Sequence, residues 1–277
     1  MDLPASHTAS FSWRLPLILG HRGASAVAPE NTLAAFSRAF RDGAEGIEFD
    51  VRLSRDGVPV VIHDSSLRRT ALIDKLVSDM TSKELQNIDV GSWFTGDRRE
   101  MRETSPDADY SSERLPALAD VLQLFTANAG LLYIEMKSDA DEGAKLATAV
   151  VKSVRESKIA GQVVVESFDL PAIAEIKRID SWIRTAALFE PKLSRPISTI
   201  RRLKMVDLAL RARADEIALH HTLAGASVVE KARECGLETV VWTVDDPQWL
   251  ERARFLGIKA LISNDPATMV RHRNAHQ

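Results

Sequence analysis

Cysteine is almost absent from this chain, which has a single one among its 277 residues, at position 235. One cysteine excludes an internal disulfide and fits a reducing compartment. Charge of one predominant sign is also missing, because 36 lysines and arginines face 39 aspartates and glutamates, a formal net charge of −3. No broad basic field draws the chain to nucleic acid, so we expect no nucleic-acid partner.

Long apolar runs are missing too. No stretch approaches the roughly 20 apolar residues that a helix needs to cross a bilayer. The run at 15–19 is too short for the core of a signal peptide and leads directly into His21. We therefore expect a cytoplasmic protein without stable membrane anchoring. Apolar residues make up 45% of the chain and charged residues 27%, which is typical of a soluble globular protein.

An acidic strand followed by a hairpin is the most informative stretch. Glu48 and Asp50 are two residues apart in a predicted strand, so their side chains share one face. Residues 55–57 (Arg-Asp-Gly) predict a hairpin turn, since glycine supplies the positive φ that such turns need. Antiparallel pairing across this turn would place His63 opposite Glu48. Hard cations bind such carboxylates and an imidazole can move protons, so this stretch predicts a catalytic metal site.

Two further short strands end in polar residues. The apolar run 17–19 closes with Gly-His-Arg-Gly at 20–23, which is typical of a buried parallel strand opening into a loop. Ligand sites in α/β proteins lie at such carboxyl ends, which would present His21 and place Arg22 as a phosphate binder. A second strand at 133–137 carries Glu135 and Lys137 on one face.

Strand and helix patterns alternate along the rest of the chain, which favours a parallel sheet covered by helices. The 277 residues also suit a single (β/α)8 barrel domain over 1–277, because such barrels need about 250 residues. Residues 65–114 break the alternation and are interpreted as an insertion that can act as a lid. The predicted strands are 131–136, 162–167, 184–188, 215–219, 238–242 and 259–262, and the predicted helices are 31–42, 118–128, 142–157, 169–179, 197–205, 225–235, 246–255 and 265–272.

Six short motifs in order carry a family resemblance. They are His21-Arg22-Gly23-Ala24, Pro29-Glu30-Asn31-Thr32, Glu48-Phe49-Asp50-Val51, His63-Asp64 with Leu67 and Arg69-Thr70, Glu135-Met136-Lys137, and Trp242-Thr243-Val244. With these motifs, spread from about residue 17 to residue 268, the chain resembles the glycerophosphodiester phosphodiesterases.

The resemblance implies a TIM (β/α)8 barrel with a small insertion after the second strand. It also implies hydrolysis of glycerophosphodiesters, such as glycerophosphocholine and glycerophosphoethanolamine, to glycerol 3-phosphate and an alcohol. By the same resemblance His21 and His63 are the acid/base pair, and a divalent cation is required. Oxygen ligands favour Mg²⁺ or Ca²⁺, with Mn²⁺ as a further candidate. The implied metal ligands are Glu48, Asp50 and Glu135, and the implied substrate-binding residues are Arg22, Lys137, Trp242 and Phe168.

Two alternatives stay open beside this prediction. One is a phospholipase D-like enzyme that acts on lysophospholipids or sphingolipids and needs an apolar mouth, for which Leu67, Leu72, Trp93 and Phe94 are the candidates. The other is a non-catalytic phosphate-binding module. The chain also departs from the family after Arg69-Thr70, so the shape of the insertion and the head group stay open. A small-molecule substrate is the expected partner, and a homo-oligomer is left open.

Overall fold

Nine strands carry the architecture of this computed structural model, which describes residues 15–94, 109–127, 130–138, 142–191 and 199–275. Within these ranges the strands are β1 (Leu17–His21), β2 (Gly46–Leu53), β3 (Pro59–Val61), β4 (Leu131–Met136), β5 (Val163–Ser167), β6 (Arg184–Phe189), β7 (Glu216–His220), β8 (Glu238–Trp242) and β9 (Ala260–Ser263). All except β3 are parallel neighbours, and β1 pairs with both β2 and β9. The sheet therefore closes into an eight-stranded barrel, which confirms the predicted fold.

Helices follow the strands along the chain. The α-helices of the described ranges are α1 (Leu33–Arg41), α2 (Arg68–Ala71), α3 (Ser82–Leu85), α4 (Leu118–Leu124), α5 (Gly143–Glu156), α6 (Leu170–Ile179), α7 (Thr199–Arg211), α8 (Ala226–Glu234), α9 (Trp249–Leu256) and α10 (Pro266–Ala275). None of them combines the length and the apolar content needed to span a bilayer. The core lies between these helices and strands that are apolar on both faces, as in other parallel sheets.

Most element boundaries lie within a few residues of the predicted ones. The largest difference at a helix start is α9, which was expected from 246 and begins at Trp249. Asp246 explains the difference, because its Oδ1 accepts a hydrogen bond from the backbone N–H of Gln248 at 2.9 Å and holds the chain in a turn. Helix α7 runs to Arg211, six residues beyond its expected end at 205.

The hairpin register differs from the expectation by one residue. Strand β3 pairs with β2 so that Val51 faces Val61 and Leu53 faces Pro59. The prediction that His63 faces Glu48 within the ladder is therefore wrong. The cause is the turn, because Ser54 pairs with Val58 across three residues, with Gly57 at φ +76°. His63 instead follows the end of β3, and its ring reaches the barrel mouth from there.

The described parts of the predicted insertion pack with β3 and the residues next to it in a small hydrophobic cluster that is separate from the main core. They contain α2, α3 and one turn of 3₁₀ helix at Val77–Asp79. Residues 95–108 of the predicted insertion lie outside the described ranges. The division into one domain with an insertion at about 65–114 stays a prediction. The buried members of the cluster are Val60, Ile62, Leu67, Val77, Leu85, Ile88, Val90 and Leu115.

The amino end of the barrel is closed by paired charges. Lys259 Nζ lies 2.7 Å from Glu216 Oε1 and 2.6 Å from Glu238 Oε2. Arg184, the first residue of β6, donates hydrogen bonds to the same two glutamates. The hydroxyl of Tyr133 donates to Glu216 Oε2 at 2.7 Å. Both carboxylates are thus compensated by cations, and we interpret this paired cluster, at the end of the barrel opposite the predicted site, as a stabilising one.

Removing the lysine from this cluster should destabilise the fold. We expect Lys259→Met to lower the free energy of unfolding by about 3–5 kcal/mol, the usual cost of leaving a buried charge without its partner. The matched control is Lys231→Met, which removes the cation from the half-exposed pair with Asp207 and should cost less than about 1 kcal/mol. Urea denaturation at neutral pH measures both, and equal losses in the two variants would contradict this account.

Candidate active site

The register of the parallel strands brings the predicted site residues to one end of the barrel. His21 ends β1 and pairs with Glu48 of β2, and Asp50 pairs with Glu135 of β4. Paired residues on neighbouring strands point to the same side of the sheet, which here is the barrel interior. Four residues from three segments that are far apart in sequence therefore meet on three adjacent strands.

Three carboxylates form the centre of the site. Glu48, Asp50 and Glu135 are each at most 7% exposed. One oxygen from each lies within 4.8 Å of the others, a spacing compatible with a divalent cation. Burial and the neighbouring carboxylates raise the pKa of Glu48 well above its usual value and that of Glu135 to about 8. Burial also acts on Asp50, but Arg22 and Lys137 outweigh it and lower its pKa to about 2.

Two cationic side chains flank this cluster. Arg22 Nε lies 3.1 Å from Asp50 Oδ2, and its Nη1 donates to Glu30 Oε1 at 2.9 Å. Lys137 Nζ lies 2.7 Å from Glu135 Oε1 and 3.5 Å from Asp50 Oδ1. Both cations also face the cavity at the barrel mouth, where they can hold an anion as well as stabilise the carboxylates.

An asparagine fixes the orientation of the central aspartate. Asn31 Nδ2 donates to Asp50 Oδ2 at 2.9 Å, and Asn31 Oδ1 accepts the backbone N–H of Asp50 at 3.2 Å. Thr32, the next residue, is the N-cap of α1, since its Oγ1 accepts from Ala35 N at 3.2 Å. Asn31 has φ +60° and Arg22 has φ +54°, so both sit in the left-handed region that side chains rarely adopt. This strained geometry lets both residues turn towards Asp50.

His21 is held through an amide. Its Nδ1 lies 2.6 Å from Asn264 Oδ1, and its Nε2 lies 3.8 Å from Glu48 Oε2. Asn264 donates its Nδ2 and its backbone N–H to the two oxygens of Asp245, each at 2.8 Å. Burial, followed by the charge of Arg22, lowers the pKa of His21 below its usual value.

His63 is held through a carboxylate instead. Its Nδ1 lies 2.6 Å from Asp64 Oδ1, and Asp64 Oδ2 accepts from Arg69 Nε at 2.7 Å. Arg69 also donates two hydrogen bonds to Glu30, the same residue that bonds Arg22. Burial lowers the pKa of His63, while Asp50 and Asp64 act in the opposite direction.

The opposite wall of the site is apolar. A cavity of about 260 Å³ connects the charged cluster with Phe168, Leu188, Trp242 and Ile262. The rings of Phe168 and Trp242 meet edge to face at 5.6 Å, and Lys137 Nζ lies 5.6 Å from the centre of the Phe168 ring. Trp242 lines the cavity, and its Nε1 is buried without a hydrogen-bond partner among the described residues, so this donor is available to a ligand.

The structure brings together every residue predicted for the site, and it adds residues that the sequence reasoning missed. Glu166 of β5 lines the same cavity and is 1% exposed. The sequence contains a pattern that could have identified Glu166, because this residue lies near the end of an apolar strand, as Glu135 does. Asn264, Asp245 and the role of Glu30 gave no comparable signal, since each matters only through contacts distant in sequence. The predicted residues around the cavity are His21, Arg22, Glu48, His63, Glu135, Lys137, Phe168 and Trp242, and Asp50 lies directly behind them.

Comparison with known sequences gives one consistent result. The profile of the glycerophosphoryl diester phosphodiesterase family matches residues 21–268. A glycerophosphodiester phosphodiesterase of Caldanaerobacter subterraneus is 30% identical over 254 residues, which cover 92% of this chain and 96% of the relative. One of Bacillus subtilis is 27% identical and covers 90% of this chain and 84% of the relative.

Solved structures agree in fold. A glycerophosphodiester phosphodiesterase from Agrobacterium tumefaciens superposes with a TM-score of 0.72 at 26% identity, covering 92% of this chain and 99% of that one. A phosphodiesterase from Oleispira antarctica, solved in complex with sn-glycerol-3-phosphate, superposes with a TM-score of 0.79 at 24% identity, covering 94% and 97%.

The buried carboxylates should make the cation-free protein less stable as pH rises. An unfolded glutamate ionises near 4.5, whereas the folded pKa of Glu135 is about 8. Between these values the folded state binds more protons than the unfolded state, so the free energy of unfolding falls with increasing pH. We expect this fall in urea denaturation with EDTA, and we expect Glu135→Gln to flatten it. Parallel pH profiles for the two proteins would contradict the expectation.

Proposed function

The chain belongs to the glycerophosphoryl diester phosphodiesterase family and is an enzyme of that class, and on this premise we propose how its site works. We propose that it hydrolyses small glycerophosphodiesters, such as glycerophosphocholine and glycerophosphoethanolamine, to glycerol 3-phosphate and an alcohol. The observation that carries the proposal is a compact carboxylate triad with two histidines and two cations around one cavity.

The carboxylate triad fits a divalent cation. Glu48, Asp50 and Glu135 offer only oxygen atoms, which hard cations prefer, so we propose Mg²⁺ or Ca²⁺, with Mn²⁺ as a third candidate. Asp50 Oδ1 is buried and accepts no hydrogen bond from the described residues, and its ionic neighbour Lys137 Nζ is 3.5 Å away, so this oxygen can still take a ligand. A bound cation would draw charge from the phosphoryl oxygens and offset what develops in the transition state.

Arg22 and Lys137 would hold the phosphodiester. Both cations lie within 3.5 Å of a carboxylate oxygen of the triad, so a phosphate that bridges them also faces the proposed cation. Fixed donors around the phosphorus stabilise the charge of the transition state without having to reorganise. Trp242 and Phe168 would form the wall against which the carbon chain of the glycerol packs, with Trp242 Nε1 free to donate to a hydroxyl.

The hydrogen bonds of His21 favour its role as the first base. Asp245 accepts hydrogen bonds only, so the amide nitrogen of Asn264 must face it and the amide oxygen must face His21. That oxygen can only accept, so Nδ1 of His21 carries the proton and Nε2 presents a lone pair. Nε2 lies on the side of Glu48, next to the proposed cation.

His63 is suited to the complementary role of the first acid. Its partner Asp64 is a carboxylate, which stabilises a protonated imidazole, whereas the amide of Asn264 does so less strongly. Arg69 and Glu30 fix Asp64 in turn, because Arg69 bonds both of them. The contrast between an amide partner and a carboxylate partner thus supports the two proposed roles.

The proposed reaction proceeds in two steps. His21 Nε2 takes the proton of the glycerol hydroxyl vicinal to the phosphate-bearing carbon, and that oxygen attacks phosphorus. The bond from phosphorus to the alcohol oxygen breaks, and His63 donates a proton to this leaving oxygen. A cyclic glycerol phosphate results. In the second step the roles reverse. His63 takes a proton from water, the water oxygen attacks phosphorus, and the bond from phosphorus to the glycerol oxygen that had closed the ring breaks. His21 returns its proton to that glycerol oxygen, and the product is glycerol 3-phosphate.

Further support comes from the Oleispira antarctica phosphodiesterase, whose complex contains sn-glycerol-3-phosphate. Of the four candidates for the apolar mouth that the lipid alternative requires, only one is exposed: Leu72 is exposed at 75%, Trp93 and Phe94 are half-buried, and Leu67 is buried. A soluble diester is therefore the first substrate to test, and micellar lysophosphatidylcholine is the comparison that separates the two substrate classes.

Turnover should depend on an added cation. We expect the purified protein to release glycerol 3-phosphate from glycerophosphocholine with Mg²⁺, Ca²⁺ or Mn²⁺, and to lose this activity in excess EDTA. An enzyme-coupled assay for glycerol 3-phosphate measures it, and re-addition of cation after EDTA is the control. Turnover that persists in EDTA would contradict the cation requirement, and hydrolysis of lysophosphatidylcholine alone would favour the lipid substrate.

The leaving group should separate the two histidines. We expect His21→Ala and His63→Ala each to slow hydrolysis of glycerophosphocholine by about 10²–10⁴-fold. With p-nitrophenol as the leaving group, which departs without a proton, His63→Ala should recover release of p-nitrophenolate and His21→Ala should not. His272→Ala, an exposed position on α10, is the matched control and should keep full activity.

Recovery of His21→Ala instead would reverse the assignment of acid and base. Circular dichroism and thermal unfolding of each variant show whether a loss of activity reflects the site or the fold.

A further inference from the structure

A fourth carboxylate faces the cavity beside the three proposed cation ligands. Glu166 lies in β5 and pairs in register with Glu135 of β4, which itself pairs with Asp50 of β2. Residues paired in this way point to the same side of the sheet and lie on strands roughly 5 Å apart. Three adjacent strands therefore present one carboxylate each at the same level of the barrel.

Glu166 is buried, and one of its two carboxylate oxygens has no hydrogen-bond partner in the described part of the chain. The residue is 1% exposed and lines the same cavity as Glu48 and Glu135. Its Oε2 has no hydrogen-bond partner among the described residues. A carboxylate oxygen taken out of water without a partner is costly, so an oxygen left in this way beside a cavity indicates a missing ligand.

The charges around the cavity point to the nature of that ligand. Arg22 and Lys137 form ion pairs with Asp50 and Glu135, and Arg22 also bonds Glu30. The four carboxylates that face or adjoin the cavity thus share the two cations Arg22 and Lys137, which leaves an excess of two negative charges when all are ionised. These carboxylates are Glu48, Asp50, Glu135 and Glu166; Glu30 is not counted, because it also pairs with Arg69. A single divalent cation balances this excess, whereas a second anion would increase it.

On the basis of the proposed cation site, we propose that Glu166 is a fourth carboxylate of the cation centre and holds a water bound to the ion. Its oxygens lie outside the compact group formed by Glu48, Asp50 and Glu135, so we place it in the outer shell. There Oε2 would accept a hydrogen bond from the bound water and orient it. Carboxylates in this position strengthen metal binding although they do not touch the metal.

Direct measurement of cation binding tests this proposal. The free Mn²⁺ signal in electron paramagnetic resonance gives the dissociation constant of Mn²⁺ for each purified protein without any substrate. We expect Glu166→Gln, which keeps the shape and removes the charge, to bind Mn²⁺ about 10–100-fold more weakly than the parent protein. Glu190→Gln is the matched control, because Glu190 is an exposed carboxylate that lines the same cavity, and its affinity should stay within about twofold.

The outcomes separate this inference from the proposed function. If the parent protein binds Mn²⁺ and Glu166→Gln binds it equally well, the role of Glu166 is refuted while the cation site stands. If the parent protein binds no Mn²⁺, both the cation site and the role of Glu166 are refuted. A loss of affinity in Glu190→Gln equal to that in Glu166→Gln would also overturn the proposal, because general charge would then explain the effect.

Thermal unfolding provides the check on the fold. Without cation, Glu166→Gln should unfold at the same temperature as the parent protein or higher, because a neutral amide of the same shape replaces a buried carboxyl group that is costly to ionise. Added Mn²⁺ should raise its unfolding temperature less than that of the parent protein, in proportion to the weaker binding. If Glu166→Gln does not fold, Glu166→Asp replaces it. Weaker Mn²⁺ binding by that shorter carboxylate supports the proposal, and unchanged binding overturns it.

Discussion

Repulsion among buried carboxylates at the mouth of the barrel is the interaction on which the rest of the site depends. Glu48, Asp50, Glu135 and Glu166 are nearly inaccessible to water. The positive charges of Arg22 and Lys137 compensate only part of the negative charge that these carboxylates carry when ionised. The barrel register that places the carboxylates together thus creates a site that is compatible with a divalent cation.

The two ends of the barrel treat buried charge in opposite ways. At the amino end Glu216 and Glu238 share Lys259 and Arg184, and Tyr133 donates a further hydrogen bond. That cluster is self-contained and stabilises the fold. At the carboxyl end one carboxylate oxygen of Glu166 and the indole nitrogen of Trp242 have no hydrogen-bond partner in the described part of the chain, and Arg22 and Asn31 adopt left-handed backbone angles. Such local costs are typical of places where a protein binds and transforms a ligand.

The neighbours of the two histidines differ, and the different tasks proposed for His21 and His63 rest on this difference. His21 and His63 are both partly buried, and burial lowers the pKa of both. The difference lies one contact further out, in an amide for His21 and a carboxylate for His63. Asp245 fixes the amide and Arg69 fixes the carboxylate, so each histidine is oriented by its own chain of hydrogen bonds or ion pairs behind the cavity.

The sequence by itself determined what is local or repetitive. Alternating apolar strands and amphipathic helices predict the barrel, and a two-residue spacing places Glu48 with Asp50 and Glu135 with Lys137 on one face. Only the tertiary structure decided the hairpin register, which a three-residue turn displaced by one position. It also decided the contact of His21 with Asn264, 243 residues away, and the place of Glu166 beside Glu135. The physical reason is that side-chain periodicity depends only on residues close together in sequence. Closure of the barrel and the pairing of distant strands depend on how the whole molecule packs.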